Sequence, residues 1–350
     1  MLSAQHFVVR GPECDGGLEQ AFVRYAPASA PPQHGPARRR LSLLFLHAIA
    51  SHKEAFLPTI EHVFALQTAA APRPAFVVVD AWAMDCPNHG RAAVLNDARL
   101  CAFPGAVTGA QWARALQVLF ASGLVAATAL VAIGHSAGAC VVIQATTPHP
   151  LAALPFESLI LIEPTMMTPA LLQHARTHAP DQPLFRAAAA ASARTDTWPS
   201  RSAARAWLAQ RAPWRRWDAR ALDAFVTHAL ADLPTAAHPD LSTGVTLACA
   251  RTHEAASYRH HDDSRQGLDR LAQICDVLPV HAVFGARRDM VTSDVEQSIT
   301  DPAAGRRMRS IVRVPGAGHL VVQEDPRGTA RAVWDILCGD YGGRGEKGKM

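Results

Sequence analysis

The stretch Leu130-Val131-Ala132-Ile133-Gly134-His135-Ser136-Ala137-Gly138-Ala139 decides how the rest of this chain is read. Its first half is an apolar run of strand type, and its second half holds Ser136 between two glycines at the spacing G-x-S-x-G. A serine hydroxyl is a weak nucleophile unless a tight turn exposes it and a nearby base takes its proton. Glycines on either side permit a sharp strand-to-helix turn, and the amides of a helix starting at Ala137 would face charge developing on a substrate oxygen. Ser136 is therefore the candidate nucleophile and Ala137 the first candidate oxyanion donor.

Two partners follow in chain order. Val280-His281-Ala282-Val283-Phe284-Gly285 reads as a buried strand and is followed by Ala286-Arg287-Arg288-Asp289. Ser310-Ile311-Val312-Arg313-Val314 reads as another strand, leading into Pro315-Gly316-Ala317-Gly318-His319. Each polar residue stands just past the carboxyl end of a strand, where open α/β sheets place their sites. The order Ser136, Asp289, His319 resembles that of the α/β-hydrolases and differs from those of chymotrypsin and subtilisin. In this reading His319 is the base and Asp289 orients it. Glu163, at the end of the strand Ser158 to Ile162, is the alternative position for the acid, and Asp294 lies close to Asp289 in sequence.

The second oxyanion amide is expected from the loop His47-Ala48-Ile49-Ala50-Ser51-His52, which follows the apolar strand Leu41 to Leu46; Ile49 is the first choice and Ala48 the second. No H-G-G-G run is present, which argues against the hormone-sensitive-lipase type of esterase. A serine in the elbow also excludes the neighbours that need a carboxylate nucleophile (epoxide hydrolases, haloalkane dehalogenases) or a thiol (dienelactone hydrolases). Cys140 reads as core packing, and His135 as packing beneath the elbow. His260-His261-Asp262-Asp263 reads as a solvated loop, since adjacent histidines point apart and no matching ligand pair accompanies them. No metal or cofactor is expected.

Strand and helix patterns alternate along the chain. His6 to Arg10 and Ala21 to Tyr25 suggest a hairpin, and Pro27 to Arg40 a mobile connection. Lys53 to Ala69 has helical periodicity, with Phe56, Ile60, Val63 and Phe64 on one face. Phe76 to Met84 reads as a strand, Ala110 to Ser122 and Ala137 to Ala145 as helices, and Arg327 to Leu337 as the last core helix. The fold expected is α/β: a mostly parallel eight-stranded sheet with helices on both faces. From Thr165 to Asp276 the sequence turns Ala-rich and helical, and the resemblance to α/β-hydrolases, which carry a cap between the sixth and seventh strands, implies a helical cap there. That divides the chain into core (1–164), cap (165–276), core (277–340) and a flexible tail (341–350). Within the cap, Trp207, Trp214 and Trp217 interleave with Arg205, Arg211, Arg215, Arg216 and Arg220. They read as buried tryptophans with arginines in solvent; a lid for a membrane surface or an anionic acyl carrier is the alternative.

Bulk properties fit an enzyme of small molecules. The chain of 350 residues is 49% hydrophobic, enough for a large core, and its net charge is only +4. Lysine occurs solely at Lys53, Lys347 and Lys349, the basic complement is otherwise arginine, and no nucleic-acid partner is inferred. Seven scattered cysteines without C-x-x-C read as reduced thiols, and no signal peptide or membrane-length apolar run is seen. An intracellular protein is expected, with transient contact to a membrane surface and the oligomeric state both left open.

Several segments resemble a fungal group of α/β-hydrolases that includes peroxisomal lipase-like proteins and toxin-biosynthesis hydrolases. They are Leu44 to Glu54, the loop Ala81 to Gly90 with Ala92 to Asn96, the elbow, and Gly244 to Cys249 ahead of Glu254. The loop Asp85-Cys86-Pro87-Asn88-His89-Gly90 is similar to a D-x-P-G-H-G turn of the superfamily, in which His89 would be structural. The resemblance implies a cofactor-independent hydrolase of a carboxylic ester or thioester, with a lipid-like or secondary-metabolite acyl substrate and an acyl-enzyme intermediate. A β-diketone C–C hydrolase with the same triad and a non-catalytic ligand-binding protein are the alternatives. The C-terminal Gly348-Lys349-Met350 matches a peroxisomal tripeptide at its last two positions only, leaving cytoplasm or peroxisome as the expected compartment.

Overall fold

The computed structural model describes residues 2–28, 38–103, 105, 107–125, 129–178, 183–259 and 262–343. Most of the connection at Pro27 to Arg40, the pair His260-His261 and the C-terminal tripeptide lie outside them.

The strands are β1 (Leu2–Arg10), β2 (Glu19–Pro27), β3 (Arg39–Leu46), β4 (Phe76–Met84), β5 (Ala129–His135), β6 (Ser158–Ile162), β7 (Thr197–Trp198), β8 (Leu230–Asp232), β9 (Val245–Leu247), β10 (Val280–Gly285) and β11 (Ser310–Val314). Eight of them form one sheet in the order β1-β2-β4-β3-β5-β6-β10-β11. The β1–β2 and β2–β4 pairs are antiparallel and the others parallel. This is the fold expected from the alternation of patterns. The reason is visible in the central strands, which are apolar almost throughout because helices cover both faces. Successive side chains of β3 go to opposite sides: Leu41, Leu43 and Phe45 join one core, Leu44 and Leu46 the other. Ile60 and Val63 of helix Leu57–Ala69, with Val333 and Leu337 of helix Pro326–Tyr341, pack on the first face. Leu116 of Gly109–Ala121 and Val142 of Ala137–Gln144 pack on the second. The edge strand β11 instead alternates, with Ile311 exposed and Val314 buried.

The segment after β6 departs from the expectation of an all-helical cap. Between its helices lies a three-stranded sheet, β7-β9-β8, antiparallel throughout. Strands of two or three residues are too short to show an alternating pattern, so the sequence hid them. A separate apolar cluster built on Trp198, Leu208, Trp214, Phe225 and Leu247 holds this unit together. The helix Asp262–Ile274, assigned to the cap from sequence, packs on the core instead: Leu268, Leu271 and Ile274 belong to the same cluster as Val142 and Ile143. The helix approaches closely at Gly267, where a Cβ would come within 2.8 Å of Met166 Sδ and 2.9 Å of Cys140 Sγ. The last helix also runs on to Tyr341, past the Leu337 end and the tail boundary expected from sequence.

Register aligns the carboxyl ends of the parallel strands. Leu46 is opposite Gly134, His135 opposite Ile162, and Ile162 opposite Val283. The residues that follow those ends, His47, Ser136, Glu163 and the loop after Gly285, therefore meet along one edge.

Candidate active site

Ser136 sits in the turn from β5 into helix Ala137–Gln144 with φ 54 and ψ −115. This left-handed backbone costs a non-glycine residue about 1–3 kcal/mol, which the surrounding packing must supply. Both neighbouring glycines are forced by close approach. A Cβ on Gly134 would lie 2.3 Å from the Gly138 carbonyl oxygen, and one on Gly138 2.2 Å from that of Leu46. The Ser136 amide donates to the Ile162 carbonyl at 2.9 Å, which ties the turn to the end of β6.

Ser136 Oγ is 3.1 Å from Nε2 of His319, and Nδ1 of that ring is 3.0 Å from Oε2 of Glu163. All three residues are buried. The other oxygen of Glu163 accepts from the Gly285 amide at 2.6 Å, and the Glu163 amide donates to Val283 at 2.8 Å. Glu163 also has positive φ, 48°, so the chain turns sharply there to aim the carboxylate back across the strand ends. The alternative acid of the sequence reading is thus the one beside the histidine ring. Asp289, the first choice, faces the main chain of the same residue: its Oδ1 accepts from the His319 amide at 2.8 Å and its Oδ2 is 3.3 Å from Arg287. The loop after β10 brings Asp289 up against the backbone of the histidine loop, where a Cβ on Gly318 would lie 2.0 Å from the carboxylate. Asp294 lies in the first turn of helix Ser293–Thr300, and no contact joins it to the His319 ring.

His135 does more than fill space. Its Nε2 donates to the His319 carbonyl at 2.8 Å, so the histidine loop is gripped at its amide by Asp289 and at its carbonyl by His135. Burial pushes the His135 imidazole down to about 3, keeping it a neutral donor. Arg287 adds a further strut: it donates to both oxygens of Glu324, and Glu324 accepts from the Gly318 amide at 2.9 Å. Neither Arg287 nor Glu324 stood out in the sequence, because nothing local marks an ion pair between residues 37 positions apart, one in the loop after β10 and one at the end of helix Val321–Glu324.

The candidate oxyanion loop is pinned by two histidines. His47 Nδ1 donates to the Ala48 carbonyl at 2.7 Å while its Nε2 accepts from the Cys86 amide at 3.0 Å. His89 Nδ1 donates to Asn88 at 2.7 Å and its Nε2 accepts from the Ala50 amide at 3.1 Å. Each ring must be neutral to accept, and burial pushes His47 down to about 4 and His89 well below the usual range. Both ring nitrogens of His89 are thus engaged by neighbouring groups of the loops. Beneath the loop, Asp85 takes the Lys53 amide and ammonium, both at 2.8 Å, and Lys53 also reaches Glu54 at 2.8 Å. Gly90 has φ +52, and a Cβ there would come within 2.5 Å of Asp85. The amides of Ile49 and Ala137 donate to no described group, and both residues border the space in front of Ser136.

Two spaces open onto Ser136. A small one of about 100 Å³ is bordered by Ile49, Ala137, Val107, Trp112, Met167 and Leu184. A cavity of about 880 Å³ lies between core and cap, with His319 and Leu320 on its floor and Trp207, Trp214 and Trp217 in its wall. Tyr258 borders both, and was not singled out in the sequence. Trp214 is buried as expected, while Trp207 and Trp217 keep a partly open face. Among the described residues, no three His, Cys, Asp or Glu side chains are grouped as a metal would require.

The Alpha/beta hydrolase family model matches residues 43–332, which takes in Ser136, Glu163 and His319. This chain is a member of that family. The hydrolase is similar to the peroxisomal alpha-beta-hydrolase of Saccharomyces cerevisiae (17% identity, TM-score 0.71, covering 97% of this chain and 89% of that one). It is also similar to a thioesterase domain from the curacin biosynthetic pathway (14%, 0.61, 96% and 99%) and to an esterase of Mycobacterium tuberculosis (19%, 0.57, 95% and 92%). At these identities the likeness is one of fold. No curated protein sequence matches the chain. No helix among the described residues is long and apolar enough to cross a membrane.

Proposed function

We propose that this hydrolase cleaves a carboxylic ester or thioester through an acyl-enzyme on Ser136. The observation that supports this reading is the unbroken chain Ser136 Oγ, His319, Glu163 at 3.1 and 3.0 Å, with Ser136 and His319 bordering the large cavity. His319 takes the proton from Oγ as the serine attacks the carbonyl, and returns it to the departing oxygen or sulfur. Glu163 fixes the ring with Nδ1 protonated and stabilises the imidazolium that forms. The Ala137 and Ile49 amides face the oxyanion, where preorganised donors lower the barrier most. Water then enters by the same route, with His319 as its base. Asp289 takes no part in proton transfer and holds the His319 backbone.

Hydrolysis of p-nitrophenyl esters from acetate to palmitate, with Ser136→Ala alongside, tests the reading. Turnover should fall by about 10⁴-fold or more in the variant, and a fluorophosphonate should label the wild type at Ser136 alone. Turnover retained by Ser136→Ala would overturn it.

A further inference from the structure

The two spaces beside Ser136 differ in chemistry, and the position of His319 says which half of a substrate each receives. His319 borders the large cavity and not the small pocket. A histidine that protonates a leaving group must lie beside it, so the leaving alcohol or thiol occupies the large cavity. The acyl part then falls to the small pocket of about 100 Å³, which also holds the Ala137 oxyanion amide and has a mostly apolar lining.

The cap wall of the large cavity carries Arg186, Arg211 and Arg216. Among the described residues, none of the three has a carboxylate partner. The acids that border the same cavity are already engaged: Glu254 with Arg194, Glu324 with Arg287, and Asp289 with Arg287 and the His319 amide. Arg211 is also held in place, its guanidinium 4.2 Å from the Trp207 ring centre and its Nη1 donating to the Trp207 carbonyl at 2.9 Å. With those carboxylates engaged and the three arginines, all solvent-exposed, without an acid partner, the cap side of the cavity mouth carries an excess of positive charge. Tryptophan faces beside them offer a surface for a flat ring.

We infer that, within the ester or thioester reading above, the substrate pairs a short acyl group with a large leaving alcohol or thiol that bears a carboxylate or phosphate, bound by Arg186, Arg211 and Arg216. The chemistry balances as ordinary acyl transfer. The Ser136 oxygen bonds to the acyl carbon, the bond to the leaving oxygen or sulfur breaks, and the serine proton passes through His319 to that atom. Water then releases the short acid and restores the hydroxyl.

The test compares matched pairs by kcat/KM: 4-carboxyphenyl acetate with 4-carbamoylphenyl acetate, and acetyl-coenzyme A with S-acetyl-N-acetylcysteamine. The first pair reads carboxylate and the second phosphate. At least one anionic member should lead its neutral twin by about tenfold or more, and Arg211→Glu/Arg216→Glu should bring that ratio to one or below. Quenching of tryptophan fluorescence by benzoate and phenyl phosphate, with benzamide as control, reads the same subsite without turnover. If no probe is hydrolysed but the anions bind and the double variant loses them, the ester reading fails while the subsite stands. Equal ratios together with equal binding, or a preference that survives in the double variant, would overturn the inference. So would an anion preference seen only with p-nitrophenyl hydrogen glutarate, whose charge is on the acyl side.

Discussion

Glu163 Oε2 lies 3.0 Å from His319 Nδ1, although the two residues are 156 positions apart and Asp289 stands closer in sequence and at a strand end of the same kind. The consequence for activity is specific. Glu163→Ala should lower kcat about 10³–10⁴-fold, the scale on which losing the orienting acid acts in such triads, while Asp289→Asn should lower it only about tenfold and reduce Tm. Steady-state kinetics on one ester with both variants decides the matter. A larger loss from Asp289→Asn than from Glu163→Ala would return the acid role to Asp289.

Lys53 should matter to stability out of proportion to its distance from Ser136. It is 1% exposed and divided between Asp85 and Glu54. Removing one member of a buried pair leaves an uncompensated charge and costs about 3–5 kcal/mol. Lys53→Met should therefore show a much lower urea midpoint than the wild type, and Lys53→Met/Asp85→Asn should lose less than the sum of its single changes. A Lys53→Met midpoint equal to that of the wild type would refute this account of the loop.

Stability should fall with acidification before most carboxylates are protonated. Burial holds His47 at about 4 and His135 at about 3, with His89 also well below its ordinary value. In the unfolded chain the same imidazoles take up protons below about pH 6.5. Between pH 6.5 and about 4 the unfolded state thus binds more protons, and stability present above that window is lost across it. His47 alone corresponds to about 3 kcal/mol at the lower end. Thermal unfolding at pH 5.5 in buffers of different ionisation enthalpy should register uptake of about three protons or more. A Tm constant from pH 6.5 to 4.5 would show that these rings are not held neutral.

Much of the core could be read directly from residues. The strands Phe76–Met84, Ser158–Ile162 and Val280–Gly285 run between the limits that their composition indicates, because an apolar run flanked by turn residues has one way to bury itself in a covered sheet, and the edge strand Ser310–Val314 is delimited by its β-branched alternation. The elbow was equally legible, since Gly134 and Gly138 are demanded by contacts within a few residues of Ser136 and with the adjacent strand. The cap was less so. Its helices follow propensity, but a sheet of two- and three-residue strands depends on Trp198 and Asp232 both pairing with Val245, which no local pattern announces.

The sequence by itself therefore determined the α/β sheet, the strained turn under Ser136 and the presence of His319 on a glycine-flanked loop, because each rests on local periodicity or on backbone freedom. Only the tertiary structure decided which carboxylate meets the imidazole. Glu163 and Asp289 both follow parallel strands, and both touch His319. Their roles separate because β6 lies next to β5 and the positive φ at Glu163 turns its side chain to the ring, whereas the longer loop after β10 delivers Asp289 to the backbone amide.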